Sequence, residues 1–172
     1  VPKSEPDDTV AVSNVPVELP AREVLSLAEA ESIFAVRESE LADTRSSGAS
    51  EEDVAAAVSK VMRANIQLSL ARLSEANTKD GHIEITAQSM RIGETVLVSV
   101  PVEPFAELAD SVKKRSGTKN TVFSGFSNGH INYLATDQAF EEGGYEVGVS
   151  VFAPGSAELT IDASLEAIDN II

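Results

Sequence analysis

The chain has no cysteine and no tryptophan, and its 13 Lys and Arg residues face 28 Asp and Glu. Without cysteine there is no disulfide framework, no thiolate zinc site and no thiol nucleophile. With aromatics at only 5%, the core has to be built from Val, Ile, Leu and Ala. The formal net charge of −15 argues against nucleic acid as a partner, because phosphate binding needs clustered cations. The one basic cluster, Lys113-Lys114-Arg115, falls where a helix should end, and cations there complement the helix dipole. No run approaches the roughly 20 apolar residues of a membrane span, and no signal peptide is visible at Val1. Acidity of this kind fits a cytoplasmic, a secreted or a salt-adapted protein equally, so the compartment stays undetermined. Metalloprotease H-E-x-x-H, hydrolase G-x-S-x-G, phosphate-binding glycine loops and the dinucleotide fingerprint are all missing. Two histidines cannot supply a His-rich zinc site.

What is present is 172 residues, enough for one unit with a real core or a large piece of a bigger domain. Residues 1–9 are polar and proline-rich. They open an extended lead-in over 1–20, whose Pro16 and Pro20 confine it to a sheet edge. From Ser26 the spacing turns helical, with Leu27, Ala30, Ile33, Phe34 and Leu41 recurring at three- and four-residue steps. Arg45–Ser50 is a turn, and Ser50 followed by Glu51, Glu52 and Asp53 marks a second helix start. These two helices predict an antiparallel hairpin over 26–76.

The remaining portion, 82–172, reads as α/β. His82–Met90 alternates as a half-buried strand, and Thr95–Val100 is apolar enough for a central one. Pro104–Arg115 predicts a helix with proline in its first turn. Thr121–Phe126 predicts a buried strand, Thr136–Glu142 a helix stopped by Gly143-Gly144, Tyr145–Phe152 a strand and Ser156–Ile171 a closing helix. The expected fold class is α/β of the mixed α+β kind: a mixed sheet with flanking helices plus the long hairpin.

One pattern occurs twice in the 82–172 portion. A buried strand ends abruptly at Val102-Glu103-Pro104, and another gives way to Asn128-Gly129-His130-Ile131-Asn132-Tyr133. Strand carboxyl ends are where α/β proteins collect ligands and chemistry. Glu103 is either an acid stabilising a helix N-terminus or a rigidly held carboxylate that binds metal or moves a proton. Beyond its turn glycine, His130 is a metal ligand, a general base or a surface residue. Tyr133 is a core aromatic, or a metal ligand whose ionisation a cation would make accessible.

The run from Met90 to Pro154 resembles the neutral/alkaline, non-lysosomal ceramidase family, in particular its bacterial members. The resemblance rests on R-I-G-E-T-V-L-V-S-V-P-V-E-P-F-A-E-L, on F-S-G-F-S-N-G-H-I-N-Y-L-A-T-D-Q-A-F-E-E-G-G-Y-E-V and on F-A-P-G-S-A-E-L. That family cleaves the linear amide of N-acylsphingosine with one zinc, held by two histidines, a glutamate and a tyrosine. The resemblance implies Glu103 and Tyr133 as metal ligands, with Asn128, Gly129 and His130 along a substrate site. It also implies that the two zinc histidines and the catalytic serine lie upstream, so that no catalytic residue falls within this chain. Two departures stand out: Val102 replaces the family's glycine before the glutamate, and His130 replaces the first aromatic of N-x-Y-x-x-Y.

The leading expectation is therefore the C-terminal part of a zinc-dependent, ceramidase-like amide hydrolase, inactive alone. Its implied partners are the rest of the catalytic domain, or a second chain of a nicked enzyme, and a lipid-like amide substrate. The alternative is a non-enzymatic α/β module whose helical hairpin docks a partner.

Overall fold

Strict alternation of apolar and polar residues dictates a strand buried on one side. β3 (His82–Ile92) is that strand: Ile83, Ile85, Ala87 and Ser89 are buried, while Glu84 and Thr86 are exposed. The computed structural model describes residues 9–172, so the predicted 1–9 lead-in, apart from Thr9, lies outside the described residues. The chain divides into two compact units, one holding the residues up to Arg22 together with Lys79–Ile172, the other Glu23–Thr78.

In the first unit β1 (Val10–Pro20) pairs antiparallel with β3 along its whole length, from Val10 opposite Ile92 to Pro20 opposite His82. It is an edge strand, as its prolines require. On its other side β3 pairs antiparallel with β4 (Thr95–Ser99), and β4 pairs parallel with β6 (Asn120–Ser124). The sheet is thus mixed, in the order β1-β3-β4-β6, with the two-residue β2 (Thr78–Lys79) also on β3. A parallel pair needs a crossover, and α3 (Ala106–Arg115) lies in the connection between β4 and β6.

One face of the sheet carries Val15, Leu19, Ile83, Ile85, Val96 and Val98, all buried. The helix α6 (Ser156–Asp169) packs against β1, β3 and β4, and α3 packs against α6 and β6. The inward side of α6 is small or apolar: Ala157, Ile161, Ala163, Ala167 and Ile168 are buried. Two of its buried hydroxyls are satisfied within the helix, Thr160 donating to the Ser156 carbonyl at 2.9 Å and Ser164 to that of Thr160 at 2.7 Å. Ser89 Oγ, by contrast, is buried with no hydrogen-bond partner among the described residues. On the opposite face, register places Val12, Met90, Leu97 and Val122 side by side across four strands. Val12, Leu97 and Val122 of that row are exposed.

The second unit is the predicted hairpin. α1 (Leu27–Ser46) begins at a capping box, in which Ser26 Oγ accepts from the Glu29 amide and the Glu29 carboxylate accepts from the Ser26 amide. α2 (Glu51–Asn77) is capped by Ser50, whose side chain accepts from the Asp53 amide. The two helices pack through Ala30, Leu68 and Ala71, with Leu25, Leu27 and Phe34 around them.

Three sequence expectations fail in the first unit, each for a local reason. The helix expected from Pro104 starts at Ala106, because Pro104 forms the short strand β5 (Glu103–Pro104) opposite Leu134. Phe105 is still extended there and donates its amide to the Leu134 carbonyl at 3.0 Å. The strand expected to reach Phe126 ends at Ser124; Phe126 turns away with φ 54° and is 56% exposed. Tyr145–Phe152 is not a strand. Tyr145–Gly148 closes a single helical turn, α5, in which the Gly148 amide donates to the Gly144 carbonyl at 3.0 Å. Beyond that turn Phe152 forms an isolated antiparallel bridge with Ala21.

Candidate functional site

Beyond β4 the chain runs on through Val100, Pro101 and Val102, and the segment after β6 wraps it. Amides of Ser127, Phe126 and Ile131 donate to the carbonyls of Val100, Val102 and Pro101 at 3.1, 2.9 and 2.9 Å. So close a wrap leaves no room at Gly125, where a Cβ would sit 2.5 Å from Pro104 Cδ and 3.0 Å from the Val102 carbonyl. The wrap delivers β7 (Tyr133–Leu134) alongside β5 as a parallel pair, with Glu103 directly opposite Tyr133. The Glu103 amide donates to the Asn132 carbonyl at 2.9 Å, locking that register.

Paired residues of neighbouring strands project to the same side, so the two implied metal ligands meet although thirty positions separate them along the chain. The Glu103 carboxylate is the largest electrostatic influence on the Tyr133 phenol. Val102, the departure beside the glutamate, is fully buried. In an extended backbone its side chain alternates away from that of Glu103.

His130 joins this pair: its Nε2 lies 3.9 Å from Glu103 Oε2, with side chains 51% and 32% exposed respectively. Its ring stacks on Phe126, centroids 4.6 Å apart and planes 16° from parallel. Phe126 presents that face only by adopting a left-handed backbone conformation, which a bulky residue rarely takes. The other two residues of the expected substrate site sit differently. Asn128 donates its side-chain amide to Gln88 Oε1 at 3.1 Å, back toward the sheet. Gly129 takes φ 150°, and a Cβ there would meet Pro101 at 3.2 Å; its contribution is a tight passage of backbone. His82 lies at the start of β3, with its Nδ1 3.0 Å from the Asp80 carbonyl.

Several supporting residues escaped the sequence reading. Asn132 braces the tyrosine from below, its Oδ1 accepting the Tyr133 amide at 2.6 Å while its Nδ2 donates to the Val149 carbonyl at 2.7 Å. Ser150 donates to the Tyr133 carbonyl at 2.9 Å. Tyr145 meets Tyr133 edge-on, centroids 6.4 Å apart. Tyr145 and Ser150 belong to the stretch expected to be a strand. The signal that could have found them is Gly143-Gly144, whose positive φ angles of 77° and 128° redirect the chain into α5.

The Tyr133 phenol is held above its ordinary pKa, first by the Glu103 carboxylate beside it, then by partial loss of solvent, and further by Tyr145 and Glu146. A phenolate there would face an anion, so the site keeps the phenol protonated in the absence of a cation. A divalent cation seated between the two oxygens would reverse that penalty.

Among the described residues no three His, Cys, Asp or Glu side chains come together as a metal cage. What does converge is one carboxylate, one phenol and one imidazole. That oxygen and nitrogen donor set suits part of a zinc coordination shell. It leaves positions for ligands from elsewhere.

No family model matches the chain, and no curated protein matches it. Solved structures resemble part of it, two ceramidases among them. One, described as ceramidase complexed with C2, is 21% identical over 51% of this chain and 14% of its own, with a TM-score of 0.43. The other, neutral ceramidase from Pseudomonas aeruginosa, is 22% identical over 52% of this chain and 16% of its own, also with a TM-score of 0.43. The chain therefore spans about one-seventh of the length of these ceramidases.

Proposed function

We propose that this chain supplies Glu103 and Tyr133 as two ligands of a zinc site in a ceramidase-like hydrolase that cleaves linear amides of the N-acylsphingosine kind. The carrying observation is the β5–β7 pairing, which sets these two residues opposite each other, with the carboxylate acting directly on the phenol. The sequence blocks that resemble the ceramidase family fall on these same two strand ends. The remaining ligands, a pair of histidines on this reading, come from residues outside these 172.

Bound zinc would polarise a scissile carbonyl and lower the pKa of a water. The chain's own residues set the geometry. Glu103, whose amide bonds the Asn132 carbonyl, is held in register with the tyrosine along the strand pair. Tyr133, braced by Asn132 and Ser150, offers a phenol that the neighbouring carboxylate keeps protonated in the metal-free state. Ionising the phenol beside that carboxylate is unfavourable, so on this reading the phenol is the ligand most easily exchanged for substrate.

The test is metal content of the intact native protein. Wild type is expected to carry about one zinc per chain, and Glu103→Ala combined with Tyr133→Phe to lose most of it. Unchanged zinc in the double variant rejects the assignment. Hydrolysis of a short-chain N-acylsphingosine by the intact protein, lost in the same variant, tests the substrate class.

A further inference from the structure

We infer that His130 is a third metal donor, so that Glu103, His130 and Tyr133 make a three-ligand site able to hold a zinc ion on this chain alone. The inference rests on the reading of Glu103 and Tyr133 as ligands and extends it to a residue that the sequence resemblance placed along the substrate site.

Three observations carry it. The first is distance: Nε2 of His130 stands 3.9 Å from Oε2 of Glu103. Two donors each about 2.0–2.1 Å from a shared zinc lie roughly 3.3 Å apart at the tetrahedral angle. A closure of roughly half an ångström, within reach of partly exposed side chains, would therefore seat both on one ion. The second is orientation. The Phe126 ring lies flat against the imidazole, at 4.6 Å and 16°, and restricts the ring's swing. Phe126 reaches that position at φ 54°, a left-handed conformation that bulky L-residues rarely take. A surface histidine with no task gives no reason to hold its neighbour in such a conformation. The third is the third donor: the strand register sets Tyr133 directly opposite Glu103, whose carboxylate faces His130, so Glu103 is shared between the other two.

A competing use of His130 is as a contact for the bound amide, and a calcium- or magnesium-type site is a competing use of the cluster. A nitrogen donor argues against the second, since those ions prefer all-oxygen shells. The first is separated by experiment, because a substrate contact leaves metal affinity untouched.

The experiment titrates the 172-residue chain with zinc chloride. It reads calorimetric stoichiometry and, for specificity, tyrosine emission, which arises only from Tyr133 and Tyr145. Wild type is expected to take up one zinc per chain at a saturable site that perturbs this emission. His130→Ala should weaken that site at least tenfold, with the far-ultraviolet circular dichroism unchanged, and Glu103→Ala should weaken it comparably. The His130 ring resonances should shift in slow or intermediate exchange as zinc is added. If Glu103→Ala weakens binding while His130→Ala does not, the histidine assignment is overturned and the two-ligand reading stands. If wild type shows no saturable site, or one indifferent to both substitutions, the three-donor inference is overturned outright.

Discussion

Replacing Gly125 by alanine is the sharpest probe of how the site is built. The added methyl would sit 2.5 Å from Pro104 Cδ, 3.0 Å from the Val102 carbonyl oxygen and 3.2 Å from Pro104 Cγ. Favourable carbon–carbon contact begins near 3.5 Å, so the proline ring and the methyl must part by about 1 Å. The ring cannot yield by rotating, since its nitrogen is backbone. It lies between Glu103 and Phe105, whose amides bond the carbonyls of Asn132 and Leu134 at 2.9 and 3.0 Å. Moving it loosens the β5–β7 bridge itself. Overpacking of this kind costs about 1–3 kcal/mol and each weakened hydrogen bond about 1 kcal/mol. Lower entropy of the unfolded chain returns about 0.4–1 kcal/mol. The net expectation is a loss of about 2–5 kcal/mol. Because Gly125 has no left-handed backbone requirement, the whole effect is steric. The assay is urea unfolding followed by tyrosine emission, which comes from the site and from nowhere else in the chain. A Gly125→Ala protein within about 0.5 kcal/mol of wild type, with native emission unaltered, would refute the account of the wrap.

Further expectations follow from the same structure. Glu103→Gln removes the main cause of the raised Tyr133 pKa, so the phenol should ionise at lower pH than in wild type, read as phenolate absorbance during alkaline titration; an unmoved curve contradicts the contact. A raised folded-state pKa means Tyr133 contributes its stability below about pH 10 and loses it as pH climbs through the folded value. Stability of wild type should therefore fall on that alkaline limb, and the Glu103→Gln limb should be flatter. Ser26→Ala breaks the capping box of α1 and should lower helix stability by about 1 kcal/mol by thermal circular dichroism; no change would deny the cap a role. Ser89→Ala removes a buried hydroxyl that has no partner among the described residues, so it should be neutral or stabilising by up to about 1 kcal/mol, and a clear destabilisation would mean that the hydroxyl is satisfied after all.

Periodicity carried most of the architecture. The alternation of 82–90, the prolines that hold β1 at the edge and the serine caps of both hairpin helices each act within a few residues, so each is readable from one stretch of chain. Errors arose where a distant segment decides. Nothing local to Pro104 reveals that Leu134 lies beside it; without that knowledge a proline before A-E-L-A-D-S-V reads as a helix start. Tyr145–Phe152 alternates like a strand, yet the glycine pair before it turns its first residues into α5. Glu103 and Tyr133 were each visible as strand-end residues, but their register was not, because it is fixed by Asn132 and the Gly125 wrap. Phe126 was misplaced into a strand core, and with it went the chance to see what orients His130.

The lane of Val12, Met90, Leu97 and Val122 lets the sheet shed water on the side away from α6. A molecule bearing a formal charge of −15 repels its own copies in dilute buffer, which keeps such lanes apart. Added salt shortens the reach of that repulsion to a few ångströms, while sulfate-type salts strengthen apolar attraction. Light scattering should therefore register growing particles as ammonium sulfate rises, and far less growth once Leu97 and Val122 are both made threonine.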